Sequence, residues 1–369
     1  MNQSQQRIKE VNEKTLFRLL RQRGTLSRAD LKRLTGFSAT TVSTLADGLI
    51  EKGLLIETGI KEVATSGRKA TLLQINPAGG YFLLVYVGKK ITIVDCLDLS
   101  FRTAHHFETE TTSLLPLSEK ISAAALSFYE KHPNTVALVV AFSGVVKNTK
   151  IRSSNFISVE GADAFVSRMQ TMLPRDDIPF YLLNDSSLAA YAETIPDGTL
   201  ENIITVDIDD GVGSGILVKG HLFTGADGTA GELGHTTVDY HGKKCACGNR
   251  GCLEQYVSLP AIMEKCREIA PEVTAFRQVI WEADRFSEIL DEAADILSFG
   301  LVNAINFFAP QKIVISGPLT RLGDGFLDSI KEHTYKRLSS PTVIIEYSSL
   351  TGNPVILGGA KFAFDHILI

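Results

Sequence analysis

Apolar residues recur at helical spacing through the first fifty residues and predict three short helices. The first covers residues 7–22 and ends at Gly24, with an apolar stripe of Ile8, Val11, Leu16, Leu19 and Leu20. Ser27 is a good N-cap for the second, in which Ala29, Leu31 and Leu34 are expected to face inward. Gly36 then makes the tight turn that is typical of a helix-turn-helix.

The third predicted helix begins after Ser38 and has the features of a DNA recognition helix. Its core stripe is formed by Val42, Leu45, Leu49 and Ile50. The other face of its first turns carries only small side chains, which leaves room to approach a DNA groove. We expect contacts to phosphates and base edges from Ser38, Thr40, Thr41, Ser43 and Thr44.

Two alternating segments, residues 54–60 and 70–76, then predict strands that residues 61–69 join as a wing. Arg68 and Lys69 at its tip are placed to reach a minor groove or adjacent phosphates. The pattern predicts a winged helix-turn-helix DNA-binding domain over residues 1–76, called the head below. The alternative is a helical protein-interaction module with a solvated basic face.

Charge favours the DNA-binding interpretation. The head holds 13 Lys and Arg against 7 Asp and Glu, although the whole chain of 369 residues carries a net charge of −5. A basic head on an acidic body indicates that a nucleic-acid contact is confined to the head.

After a Pro- and Gly-rich boundary at residues 76–80, strand and helix patterns follow each other in two similar passes. This predicts an α/β domain over residues 77–369, with two lobes and a cleft between them. The first lobe covers about 81–185 plus the C-terminal helix, and the second about 186–350. No apolar run reaches the ~18 residues of a membrane span, and the N-terminus lacks a signal-peptide core. We therefore expect a cytoplasmic protein with no membrane contact.

Three cysteines within eight positions predict a metal site. Cys245, Cys247 and Cys252 with His235 supply the Cys₃His set of a closed structural zinc site, so zinc is the expected cofactor. Asp239 and His241 lie in the same segment as competing ligands. The alternative is a mobile loop of reduced cysteines.

The segments GELGH (231–235) and CACGNRGCLE (245–254) resemble the signature of the ROK family of repressors and sugar kinases, and the resemblance covers nearly the whole chain. It implies an actin-like and hexokinase-like fold, and members with a winged helix are sugar-responsive repressors. On this resemblance, Asn184 and Asp185 contact the sugar, and Asp185 stands at the catalytic base. The resemblance also implies sugar contacts from Gly144, Asn155, Glu232, His235 and Glu254.

Three of these positions, Asp185, Glu232 and Glu254, also have a structural explanation. Asp185 stands at a strand-to-helix junction, where Asp is a common N-cap. Glu232 and Glu254 are placed to surround the zinc without touching a sugar. A basic run at Lys147, Lys150 and Arg152 is suited to a sugar phosphate, or is a set of solvated loop charges.

Three turns that hold the nucleotide in the family kinases are degraded in this chain. They read Val85-Tyr86-Val87-Gly88-Lys89, Asp209-Asp210-Gly211 and Ser316-Gly317-Pro318. Larger side chains and carboxylates stand where the glycine-rich turns that bind phosphates would be. Without a bound phosphate donor no transfer can occur, so we interpret Asp185 as a vestigial base and the protein as a non-enzyme.

The sequence thus predicts a sugar-responsive regulator of carbohydrate genes that binds operator DNA and a sugar or sugar phosphate. The alternative is an ATP-dependent ROK sugar kinase with an appended DNA-binding head. A homodimer or homotetramer is expected because two-fold repressors read palindromic operators, and a protein partner is a further possibility.

Overall fold

The structure, a computed structural model, describes residues 3–61, 70–340 and 342–367. The chain divides into two compact units. One unit holds Met1–Leu188 and Val355–Ile369, and the other holds Ala189–Pro354. Among the described residues, no helix is long and apolar enough to cross a membrane.

The head consists of three helices and a small sheet. Its elements are α1 (Gln3–Arg23), β1 (Leu26–Ser27), α2 (Arg28–Thr35), α3 (Ala39–Glu51), β2 (Leu55–Lys61) and β3 (Ala70–Ile75). The three strands are antiparallel in the order β1-β3-β2. The predicted wing tip, with Arg68 and Lys69, lies outside the described residues.

Local capping explains where the helices of the head begin and end. The Ser27 hydroxyl accepts from the Asp30 amide, and the Asp30 carboxylate accepts in return from the Ser27 backbone, so α2 starts with a capping box. Gly36, at a φ of 72°, ends α2 in the left-handed conformation that glycine adopts without strain. Ser38 caps α3 by accepting from the Thr41 amide at 3.0 Å.

The inward faces of α1 and α2 differ from the predicted ones. Ile8 and Val11 are 59% and 60% exposed, and Leu34 is 41% exposed. Ala29 is also exposed, so Leu31 is the residue of the predicted α2 stripe that is buried. The predicted apolar stripe of α2 was wrong because this helix has only two turns and buries only a narrow part of its surface, at Leu31. On α3, by contrast, Val42, Leu45 and Leu49 are buried as predicted, and Ile50 is half-buried.

A buried carboxylate joins α1 to the end of α3. Glu13 is 1% exposed, and its carboxylate accepts from the Lys52 ammonium at 2.6 Å. This ion pair links α1 to the end of α3 within the head.

The rest of the first unit is a five-stranded mixed sheet with helices. The elements are β4 (Tyr81–Val87), β5 (Ile91–Asp98), β6 (Thr103–Glu110), α4 (Leu114–Lys131), β7 (Thr135–Phe142), β8 (Val145–Lys147), β9 (Lys150–Ser153), α5 (Ala162–Thr171), β10 (Phe180–Asn184) and α6 (Asp185–Ala192). The strand order in the sheet is β10-β7-β4-β5-β6, and β4, β7 and β10 run parallel. A core of buried residues from the sheet, α4 and α5 includes Leu83, Val140, Ile121 and Phe165.

The head packs directly on this unit through the end of the last helix. Phe17 of α1 stacks on Phe364 at 4.8 Å between ring centroids, and Phe101 meets the same ring edge-on at 5.7 Å. The Arg21 guanidinium lies 4.2 Å from the centroid of Phe101. Phe17 and Phe364 are 0% and 3% exposed, so this aromatic cluster belongs to the interior.

The second unit contains another mixed sheet with helices. Its elements are β11 (Ile203–Ile208), β12 (Val212–Val218), β13 (His221–Leu222), α7 (Glu254–Val257), α8 (Leu259–Ile269), α9 (Phe276–Trp281), α10 (Ser287–Phe308), β14 (Lys312–Ser316), α11 (Asp324–Lys336) and β15 (Ile344–Tyr347), and α12 (Pro354–Ile367) follows. The strand order is β13-β12-β11-β14-β15, with β11, β14 and β15 parallel. Buried residues of α8, α10 and α11 share one core with the sheet. Glu193 is buried in this unit and accepts from the Ser348 hydroxyl at 2.6 Å.

Candidate functional site

The four predicted metal ligands converge in the loop that follows β13. The donor atoms of His235, Cys245, Cys247 and Cys252 all lie within 4.8 Å of one another. The His235 Nδ1 and Cys245 Sγ atoms are 3.6 Å apart, and so are the Sγ atoms of Cys247 and Cys252. In the part of the chain that the structure describes, this is the one such group of three or more His, Cys, Asp or Glu.

This donor set fits a tetrahedral zinc ion. With Zn–S bonds of about 2.3 Å and a Zn–N bond of about 2.0–2.1 Å, tetrahedral geometry separates two sulfurs by about 3.8 Å and sulfur from nitrogen by about 3.6 Å. Burial raises the pKa of the Cys245 thiol to about 12, whereas the backbone amide of Asn249 lowers the pKa of Cys247. Metal binding must therefore displace protons from this cluster.

Short backbone ladders bring the donors together. Thr237 pairs with Cys252, and Lys244 pairs with Arg250, as isolated antiparallel bridges. Gly251 has a φ of 63°, and a β-carbon there would stand 1.6 Å from the Asp239 carbonyl oxygen. The close approach of the two segments, and with it the position of Cys252, therefore requires glycine at this position.

One of the two competing ligands, Asp239, makes hydrogen bonds within the loop itself. Asp239 accepts from the His241 amide at 3.0 Å and from the Tyr256 hydroxyl at 3.2 Å. Neither Asp239 nor His241 is in the cluster of donor atoms.

His235 presents its two ring nitrogens to different groups. Nδ1 faces the cysteines and lies 3.4 Å from a Glu254 carboxylate oxygen, whereas Nε2 lies 3.9 Å from Glu232. Glu254 also contacts Cys245 Sγ at 3.1 Å, so its carboxylate touches the metal donor set directly. Burial raises the pKa of Glu232, and the neighbouring His235 opposes that rise. Glu232, His235 and Glu254 form one polar cluster in the second unit.

In the first unit, the carboxyl ends of β7 and β10 carry three of the remaining predicted sugar residues, Gly144, Asn184 and Asp185. The Ser143 hydroxyl donates to the Asp185 carboxylate, and Asn184 donates to the Gly144 carbonyl at 3.0 Å. Asn184 and not Asp185 caps α6, because the Asn184 side-chain oxygen accepts from the Ser187 amide at 2.9 Å. Asp185 is thus held by a buried hydroxyl at the first turn of α6, where the helix dipole favours a carboxylate.

Two serines in this cluster were missed by the sequence analysis. Ser143 is 6% exposed, and the Ser154 hydroxyl donates to its carbonyl at 2.7 Å while accepting from the amides of Phe156 and Ile157. Asn155 follows Ser154 in this loop and is exposed. The signal that could have identified Ser143 is the pairing of β7 with β10. Phe142 lies opposite Asn184 in this parallel ladder, so the next residues, Ser143 and Asp185, lie side by side.

The first of the degraded phosphate turns is filled by a side chain. A β-carbon on Gly88 would lie 2.8 Å from the Tyr86 ring, and the Gly88 amide already donates to the Ile91 carbonyl at 3.0 Å. That amide is therefore committed to the β4–β5 turn and does not face a phosphate.

Two acidic residues, Asp207 and Asp209, stand in or beside the second and third turns. The Asp209 amide donates to the Gly211 carbonyl, and the Ser316 hydroxyl donates to Asp207 at 2.8 Å. Burial raises the pKa of Asp207 against that hydrogen bond, and the charge of Asp209 adds to the rise. These carboxylates make the turns unsuited to a polyanion.

On the head, the small polar face of α3 is accessible. Thr40 and Thr44 are exposed, and Thr41 and Ser43 are half-buried. The hydroxyls of Ser38 and Thr41 lie 2.8 Å apart and hydrogen-bond to each other at the helix start. Thr40 and Thr44 are therefore the hydroxyls most open to a ligand on this face.

Comparison with known proteins agrees with this architecture. The chain is 27% identical to the xylose repressor of Bacillus spizizenii over 98% of this chain and 97% of that protein. A solved ROK family transcriptional regulator, a homologue of Escherichia coli Mlc, covers 97% of each chain with a TM-score of 0.79 and 22% identity. The ROK hexokinase of Thermus thermophilus covers 76% of this chain and 97% of its own, with a TM-score of 0.65 and 20% identity.

These structural matches confirm the predicted α/β fold, a winged helix-turn-helix followed by a two-lobed domain of the actin and hexokinase type. The ROK family model matches residues 88–365, which is well over half of the chain. The chain therefore belongs to the ROK family.

Proposed function

We propose that this chain is a sugar-responsive transcriptional repressor of carbohydrate uptake or catabolism genes, and not an enzyme. The main support for this proposal is the length of chain over which the similarity to a repressor extends. The match to the xylose repressor spans 98% of the chain, including the head, whereas the ROK hexokinase covers 76%. The alternative, a kinase with an appended head, requires a nucleotide at turns that Tyr86, Asp207 and Asp209 make unsuitable.

Operator DNA is the proposed ligand of the head. The hydroxyls of the N-terminal turns of α3 would contact base edges or phosphates, from Ser38, Thr40, Thr41, Ser43 and Thr44. Arg68 and Lys69 of the wing are assigned to phosphates or a minor groove. One head buries too little surface for operator affinity, so the working form is a homodimer or homotetramer.

A sugar or sugar phosphate is the proposed effector. The proposed sugar contacts are Gly144, Asn155, Asn184, Asp185, Glu232, His235 and Glu254. Vicinal hydroxyls donate and accept together, so carboxylate, amide and imidazole groups suit them. The effector regulates only if it binds one state of the repressor better than another.

Zinc is the proposed ion of the Cys₃His cluster, where its role is structural. Four protein ligands leave no position for water, so the ion holds the loop and the orientation of His235. Clustered thiolates of this kind belong to a reducing compartment, which agrees with a cytoplasmic location. Control by a protein partner is a further part of the proposal.

The first experiment measures binding of the purified protein to labelled DNA from its own promoter region by fluorescence anisotropy, with and without sugars and sugar 6-phosphates. Thr40→Glu should weaken DNA binding about tenfold or more, because it places a charge against the phosphates. Thr171→Glu, on the exposed end of α5, is the matched control and should bind as the wild type does. ATP-dependent sugar phosphorylation that Asp185→Asn abolishes would overturn the repressor assignment in favour of the kinase.

A further inference from the structure

A second group of nitrogen ligands lies in the first unit, apart from the cysteine cluster. His105 is on the edge strand β6, and His132 directly follows α4. Their Nε2 atoms are 3.1 Å apart. Both side chains are half-buried. The two residues are distant in sequence, so only the fold brings these nitrogens together.

Aromatic neighbours hold both imidazoles in place. The Phe128 ring stacks on His105 with centroids 5.0 Å apart and planes inclined by 20°, and the Tyr81 ring lies 3.8 Å from His132. The His132 backbone amide also donates to the Phe128 and Tyr129 carbonyls at the end of α4. Each ring is thus oriented before any ligand arrives, which lowers the entropy lost on binding.

The separation of the two nitrogens matches a shared metal ion. Two imidazoles bound at about 2.0–2.1 Å place their nitrogens about 2.9 Å apart at a right angle and about 3.3–3.4 Å apart at the tetrahedral angle. The observed 3.1 Å lies between these values. A hydrogen bond from one imidazole N–H to the other spans a similar distance, so an experiment must separate the two arrangements.

We propose that His105 and His132 form a two-histidine site for a late first-row divalent cation, of the class Ni²⁺, Cu²⁺ or Zn²⁺. Imidazole donors select these ions over Mg²⁺ and Ca²⁺, which take oxygen ligands. Two protein ligands leave the other coordination positions to water, so this ion exchanges readily. The Cys₃His cluster, with four protein ligands, differs from it in having no open position.

The test is a calorimetric titration of the zinc-loaded full chain with Ni²⁺, with zinc release followed in parallel. We expect one equivalent of Ni²⁺ to bind without releasing zinc. His105→Gln and His132→Gln should each weaken that binding at least tenfold, because each removes one of the two chelating nitrogens. His106→Gln is the matched control, since His106 is exposed on the opposite face of β6 and pairs with Asp95 at 2.6 Å.

A readout on the unaltered protein covers the case in which a variant fails to fold. Cu²⁺ added to the zinc-loaded chain should give an electron paramagnetic resonance spectrum with coupling to two equatorial nitrogens. No Ni²⁺ binding, equal binding by wild type and both site variants, or a Cu²⁺ spectrum without two-nitrogen coupling would overturn the proposal and leave a simple histidine hydrogen bond.

Discussion

Alanine at Gly251 should break the zinc cluster without changing any of its ligands. A β-carbon there would stand 1.6 Å from the Asp239 carbonyl oxygen, against the 3.0 Å below which real contacts essentially never fall. The two strands of the loop must then separate by about 1.4 Å, whereas zinc ligands tolerate errors of about 0.2 Å. Because Cys252 follows Gly251 directly, that displacement carries its sulfur out of the tetrahedron.

Gly248 provides the matched control for this prediction. It also has a positive φ, 93°, but an added β-carbon meets nothing within 4 Å. Both variants carry the backbone strain of a left-handed alanine, about 1–2 kcal/mol. Only Gly251→Ala adds the collision with backbone.

The assay is the rate of zinc release to a chromogenic chelator, together with the zinc content of the purified protein. Gly251→Ala should release zinc at least tenfold faster than the wild type or should purify without it. Gly248→Ala should keep its zinc and show only a lower melting temperature. Equal release rates for the two variants would refute the view that the backbone contact at Gly251 positions Cys252.

Three further predictions concern other parts of the molecule. Burial raises the pKa of Glu193, so the carboxyl stabilises the fold below its unfolded pKa and that stability is lost as pH rises through the folded pKa. Glu193→Gln should therefore raise the melting temperature at pH 8 but not at pH 4, and a gain that is equal at both would contradict this. Phe364→Ala should lower the free energy of unfolding by about 3–5 kcal/mol in chemical denaturation, whereas Phe307→Ala, 84% exposed, should leave it nearly unchanged. Ser154→Ala should reduce the thermal shift produced by the effector sugar, because it removes the hydrogen bonds that hold the loop beside Asn155. The control Ser122→Ala on α4 should leave the shift unchanged. Equal shifts for the two variants would show that this loop is not part of the sugar site.

Sequence patterns predicted best where one local segment carries the whole signal. The cysteine spacing indicated the metal cluster, alternation indicated the two strands of the wing, and successive strand and helix patterns indicated the α/β domain. The helix α3 was also predicted correctly, since Ser38 is its N-cap and Val42, Leu45 and Leu49 are buried.

Features built from distant segments were not predictable in this way. Glu13 looks like a surface acid in α1 until α3 brings Lys52 against it. Ile8 and Val11 fit the predicted helical stripe but are exposed, whereas Leu16, Phe17 and Leu20 are buried. Ser143 and the pair His105 and His132 acquire partners only through the order of the strands in the sheet.

The stacking of Phe17 on Phe364 has a consequence for synthesis of the protein. Helix α1 is synthesised before α12 and buries the Phe17 ring against Phe364 of α12, so this face of the head has no partner until α12 has been made. Until then Phe17 must remain exposed or pack on something else. Packing of the head is therefore completed only when α12 has been synthesised, although the helices α1 to α3 are made first.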